Sequence, residues 1–211
     1  MDTTYFGRKF GVMVFKDSLS NKILLKRYVK YETNQQYLDG IKEICRRGIS
    51  VQSIVCDGRI GLFGLFDGIS IQMCQFHQIQ IINRYLTRKH KMPAAIELRL
   101  LALYLTKTNK VSFTQRLLQW QDKWEECLKE GTVNPQTGKS NYTHKRLRSA
   151  WLSLRRNMPW LFIYEDYAEL MIHNTTNALG GIFSDLKNKL RNHNGLSMKR
   201  KKRLIDGFFK A

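Results

Sequence analysis

Apolar residues crowd positions 4–15 and 22–31 without a helical period, and the turn-like KDSLSN separates the two stretches, so the start of the chain predicts a strand hairpin. Both parities of the first stretch are apolar, Phe10, Val12 and Val14 against Met13 and Phe15, which is the pattern of a strand lying centrally in a sheet covered on both faces. The period then changes. After Thr33 and Asn34, two residues suited to capping, Tyr37, Leu38, Ile41, Ile44 and Cys45 recur at helical spacing up to Gly48 and predict one helix. ISVQSIVCDG reads as a short buried strand stopping at Asp57-Gly58, and ISIQMCQFH as another closing on His77. The order through residue 77 is therefore β-β-β-α-β-(short helix)-β.

From residue 78 to about 170 the pattern is helical almost throughout, with breaks expected at Pro93, at GTVNPQTGKSN and at Pro159. Residues 131–141 are the strongest loop signal in the chain. Trp120 and Trp124 stand four apart in register with Leu117 and Leu128, the spacing of a core stripe, so these two, with Trp151 and Trp160, are assigned to packing rather than to base stacking. After residue 171 the chain closes on NTTNALGGIFSDLKNKLRNHNGLS, an amphipathic helix with Leu179, Ile182, Phe183, Leu186 and Leu190 on one face. It carries Gly180 and Gly181 side by side in its first turns.

Composition narrows the partner. With 43% apolar and 11% aromatic residues among 211, the chain can bury a sizeable core. Its 36 Lys and Arg against 17 Asp and Glu give a formal charge of +19, which points to a polyanion. No apolar run approaches the roughly 20 residues of a spanning helix, and no signal-peptide pattern is visible, so no membrane partner is expected. Cys45, Cys56, Cys74 and Cys127 are widely spaced and form no CxxC pair, which argues against a disulfide framework or zinc ribbon and for a reducing cytoplasm. The abrupt opening on MDTTYFGRKFGVMVF suggests a truncated start with an upstream module missing.

Asp2 begins the first strand and Asp57 ends the strand after the first helix, and in an open α/β sheet neighbouring strands can bring two such carboxylates to one crevice. Hard oxygen donors of this kind suit Mg²⁺ or Mn²⁺ acting on a phosphodiester. On spacing alone the plainer reading, a frayed terminus at Asp2 and a simple turn at Asp57-Gly58, is favoured.

MDTTYFG, IVCDGRIGL, MCQFHQIQIINRYL and TTNALGGIFSDLKNKLRNHNGLS, in this order, resemble the catalytic domain of bacterial insertion-sequence transposases akin to the Mutator-like group. The resemblance covers nearly the whole chain. It implies an α/β, ribonuclease H-like mixed sheet flanked by helices, with a helical insertion before the last catalytic helix. The corresponding division is 1–77 for the first part of the core, 78–170 for the helical region and 171–211 for the last core helix and a basic tail. By resemblance Asp2 and Asp57 are the first two metal-binding carboxylates of an Asp-Asp-Glu triad, with Mg²⁺ or Mn²⁺ as cofactor. The family pattern at the final helix is Asn-Ala-Leu-Glu-Gly, whereas this chain reads Asn177-Ala178-Leu179-Gly180-Gly181, so Gly180 stands where the third ligand belongs. One base change converts a Glu codon to a Gly codon. Asp185 sits about 140° further around the helix, off the face of position 180, and no spacing argument brings Glu165, Asp166 or Glu169 to the crevice.

Cys74 and His77 match the family's CxxH signature, which by resemblance lies beside the catalytic crevice; taken alone it is half a zinc site, and its residues equally suit a buried Cys and a strand-capping His. Ser184, Lys187 and Arg191 follow position 180 at i+4, i+7 and i+11 and are expected to contact phosphate, with Lys189, His193 and the run Lys199, Arg200, Lys201, Lys202, Arg203 extending the basic surface. Arg88-Lys89-His90-Lys91, Lys145-Arg146-Arg148 and Arg155-Arg156 are further basic sets, suited to DNA or to a partner protomer. The resulting expectation is a transposase catalytic domain, impaired in strand cleavage and transfer, acting on double-stranded DNA at transposon ends and target, as a homo-oligomer or in co-assembly with intact transposase, in the bacterial cytoplasm at the nucleoid. The alternatives are an inactive DNA-binding remnant and a ribonuclease H-like nuclease.

Overall fold

A computed structural model of the chain describes residues 1–87, 91–133, 135–138 and 140–210. It is a mixed α/β protein with small sheets. The chain divides into two compact units, one of Met1–Ser70 with Thr176–Ala211 and the other of Ile71–Thr175, against the boundaries at 77/78 and 170/171 read from the sequence.

In the first unit, β1 (Asp2–Phe6), β2 (Phe10–Lys16) and β3 (Ile23–Val29) form an antiparallel sheet in that order, with Asp2 opposite Val14 and Met13 opposite Arg27. The doubly apolar strand is the central one, and Val12, Met13, Val14 and Phe15 are all buried because both faces are covered. On one face α1 (Asn34–Arg46) presents Tyr37, Gly40, Ile41 and Ile44. A Cβ at Gly40 would sit only 2.1 Å from the Phe15 ring, so this close approach needs glycine. Thr33 caps α1 in a capping box with Gln36, as its place before the stripe predicts, while Cys45 is exposed. On the other face α8 (Asn177–Asn192) packs Leu179, Phe183 and Leu186, with Ile205 of α9 (Met198–Phe208), against Phe10, Val12 and Val14. The stretch before residue 70 continues through β4 (Ser53–Cys56) and a single 3-10 turn at Phe63–Leu65, where the sequence predicts a short helix.

The second unit starts with β5 (Ser70–Met73), which overlaps the boundary, and continues through α2 (Gln75–Tyr85), α3 (Pro93–Leu103), α4 (Lys110–Lys123), α5 (Glu125–Lys129), α6 (Lys145–Leu161) and α7 (Ile163–Asp166). Three sequence expectations change here. His77 lies in the first turn of α2 rather than at a strand end, because alternation in CQFHQIQII continues into a helical period with Ile79 and Ile82 buried. Residues 131–141 carry a short exposed hairpin, β6 (Gly131–Val133) with β7 (Ser140–Tyr142), held by backbone pairing without an apolar face. Pro159 falls inside α6, two residues before its end, and does not break it although its missing N–H leaves the Arg155 carbonyl without its helical donor. Trp120 and Trp151 are buried, and the Trp120 indole donates to Ala94 O at 3.0 Å. Among the described residues no helix is long and apolar enough to cross a membrane.

Candidate functional site

The site is built where β1 begins and β4 ends. The Met1 backbone nitrogen donates to Val55 O at 2.8 Å, which ties the start of β1 to β4. That bond sets Asp2, the first residue of β1, and Asp57, the residue after β4, at one corner of the first unit, both half-buried. Asp2 Oδ1 accepts from its neighbour's amide, Thr3 N, at 2.7 Å. Asp57 Oδ1 accepts from Arg59 N at 3.2 Å across Gly58, whose φ of +81° permits the tight reversal.

A third carboxylate, Glu32, belongs to the same corner and carries no motif that would have marked it in the sequence. Burial pushes its carboxyl above the usual carboxylate range; the Tyr37 hydroxyl and the Arg59 guanidinium oppose this, and the negative charges of Asp57 and Asp2 add to it. Glu32 accepts from the Tyr37 hydroxyl, which also pairs with Thr3 Oγ1 at 2.8 Å. Burial, then the Glu32 charge, pushes the Tyr37 phenol up. Arg59 donates to Glu32 O at 2.8 Å and to Asn34 Oδ1 at 2.7 Å, and lies 3.8 Å from the Glu32 carboxylate. Tyr37 reads as one more apolar position of α1; only its polar tip gives it this second role.

Gly180 occupies the first turn of α8, exposed, and an added Cβ would meet nothing within 4 Å. The helix that carries it touches β1. A larger side chain therefore has room at position 180, and the glycine is not required by packing. Asp185 is also exposed on α8. In the second unit Glu165 accepts from Lys110 N at 3.0 Å, completing the start of α4, and Asp166 pairs with Lys110 Nζ at 2.8 Å. These acids already serve a helix terminus.

Asp2 and Asp57 supply hard oxygen donors of the type Mg²⁺ prefers, but the donor set is incomplete: among the described residues no group of three or more His, Cys, Asp or Glu side chains is arranged to hold a metal ion. Glu32 does not close the set, because its oxygens are engaged by Tyr37 and Arg59.

Cys74 and His77 lie in the second unit. Cys74 is fully buried immediately before α2, its carbonyl accepting from Gln78 N at 3.2 Å, and the half-buried His77 ring stands 6.2 Å from that of Phe76. Of the basic residues on α8, at its C-cap and on α9, Lys187, Arg191, His193, Lys199, Arg200 and Arg203 are exposed, and Lys201 is half-buried. Lys189, also exposed, lies over the Phe208 ring at 4.9 Å, and the half-buried Lys202 over the Tyr28 ring at 4.8 Å, so both spend part of their charge on aromatic faces. Ser184 Oγ bonds back to Gly180 O at 2.9 Å. Of the remaining basic sets, Arg88, Lys89 and His90 lie outside the described residues.

No family model, no curated protein and no solved structure matches the chain.

Proposed function

We propose that the protein is a transposase-type, ribonuclease H-like catalytic domain that binds double-stranded DNA and is impaired in metal-dependent cleavage and transfer of phosphodiesters. The observation that carries this reading is the bond from Met1 N to Val55 O, which sets Asp2 and Asp57 at one corner of one unit, from strands separated by α1 and two further strands. The order β-β-β-α-β, the antiparallel β1-β2-β3 sheet, the β1 to β4 bond and a late helix laid on the sheet support the ribonuclease H-like arrangement. In such a site a bound Mg²⁺ or Mn²⁺ would activate a hydroxyl and stabilise the leaving oxygen. Asp2 and Asp57 would hold it, with the third ligand replaced by Gly180, and Lys187 and Arg191, farther along α8, would contact DNA phosphates. Cys74 and His77 are assigned a supporting part in DNA placement on the family pattern alone.

The test is strand cleavage on supercoiled and linear duplex DNA with Mg²⁺ or Mn²⁺. The unaltered chain is expected to bind DNA without cutting it, and Gly180→Glu to cut weakly, with Asp2→Asn or Asp57→Asn in the Gly180→Glu background abolishing that activity. Robust cleavage by the unaltered chain refutes the importance of position 180. Cleavage by Gly180→Glu that survives loss of Asp57 refutes the site.

A further inference from the structure

Helix α6 contains five cations and no acid. At about 100° per residue, Lys145, Arg148, Arg155 and Arg156 fall within an arc of about 100°, while Leu147, Ala150, Leu154 and Leu161 are buried on the opposite side. Elsewhere in the same unit Lys110 is matched to Asp166, Lys123 to Glu97 and Lys129 to Glu125, while Arg99 bonds Asn83 Oδ1 and Arg116 lies over the Tyr104 ring. Among the described residues none of the four α6 cations forms an ion pair. Their contacts are neutral: Lys145 donates to Asn141 Oδ1 and Arg148 to Leu128 O. The Arg148 guanidinium also lies 3.9 Å from the centre of the Tyr142 ring and that of Arg155 5.0 Å from the centre of Trp151.

Those contacts fix Lys145, Arg148 and Arg155 without neutralising them. A guanidinium resting on an aromatic ring keeps its in-plane donors available, and ordering it beforehand lowers the entropy lost on binding. Arg148 and Arg155 are seven residues apart, about 10 Å along the helix axis, close to the roughly 12 Å width of a duplex major groove.

We infer that this face of α6 is a second DNA-binding surface, which takes the phosphates of duplex DNA on either side of a groove. It shares with the reading above only the identity of the polyanion, and depends neither on position 180 nor on a metal.

The experiment measures the affinity of the full chain for a random-sequence duplex as salt is varied. Arg155→Gln with Arg156→Gln is compared with Lys123→Gln with Lys129→Gln, which removes the same total charge from cations matched to acids. The α6 pair should lower the slope of log affinity against log salt by about 2 and weaken binding roughly tenfold to a hundredfold at 0.1 M salt; the control pair should change affinity less than about twofold by the same counterion argument. Equal losses in the two variants, or none in the α6 variant, overturn the proposal. A loss seen on vesicles of anionic phospholipid and not on duplex overturns it in favour of a membrane partner. Failure of Gly180→Glu to cleave leaves it standing, so the two readings fail separately. Thermal melts of both variants matching the parent exclude unfolding as the cause.

Discussion

The interior of the unit formed by Met1–Ser70 and Thr176–Ala211 is built from β2, whose Val12, Met13, Val14 and Phe15 meet Tyr37 and Ile41 on one side and Leu179 and Phe183 on the other; Thr4 is its one buried polar side chain among the described residues. The interior of the Ile71–Thr175 unit also holds Leu98, Leu105, Phe113 and Leu154, but adds Gln72, Gln75, Gln78, Ser153 and Asn157, all buried. Here Gln78 donates to Ser153 Oγ at 2.9 Å and accepts from Asn157 at 2.7 Å, while Gln72 and Gln75 both donate to Leu161 O at 2.9 Å, meeting an orphan carbonyl at the end of α6. The first interior depends on volume and shape. The second depends also on direction, because each amide must keep its partner or carry an unmet polar group into a dry environment.

The contrast is broken most forcefully by Phe15→Ala. The ring is buried, rests on Gly40 and stands 6.1 Å from the Tyr37 ring, so truncation leaves a cavity and should cost about 3–5 kcal/mol in denaturant melts. A cost below about 1 kcal/mol would mean that the close packing of α1 on β2 contributes little. Asn157→Leu should cost less, about 1–3 kcal/mol, by leaving Gln78 Oε1 without its donor. The sharper measurement adds Gln78→Leu. Removing both amides should recover part of that loss, whereas additive costs would show that the two residues act through volume alone.

The same contrast explains what the sequence makes legible. An apolar interior leaves a period: β2 announces itself by apolar residues at both parities, and α1 by Tyr37, Ile41 and Ile44 behind the Thr33 cap. A directional interior leaves none, since Gln72, Gln75 and Gln78 read as surface residues until their partners from 153–161 are brought to them. That is also why ISIQMCQFH reads as strand through His77: polar and apolar residues alternate across the junction, and the buried glutamines of α2 hide its apolar face. The hairpin β6–β7 is exposed throughout and gives only turn signals. At the candidate site, Asp2 and Asp57 are visible as strand-end acids, whereas Glu32 is a lone acid whose importance comes from Tyr37 and Arg59, five and twenty-seven residues later. Position 180 is legible as an anomaly in a helical pattern, not as a geometry.

The smallest effect separates that anomaly from the fold. Gly180 lies in a helical turn with open space around its missing Cβ, so Gly180→Ala should stabilise the protein by about 0.8–1.0 kcal/mol through the lower helix cost of alanine. In a chain of this length that corresponds to a rise of about 2–4 °C in melting temperature. Ala supplies no ligand, so this variant should gain stability without gaining cleavage, whereas Gly180→Glu should gain both a carboxylate and part of the same helical preference. If Gly180→Ala lowers the melting temperature, the first turn of α8 is held by contacts that need glycine, and weak cleavage by Gly180→Glu could no longer be assigned to the carboxylate alone. If it raises it while leaving DNA affinity unchanged, the glycine serves neither packing nor DNA binding.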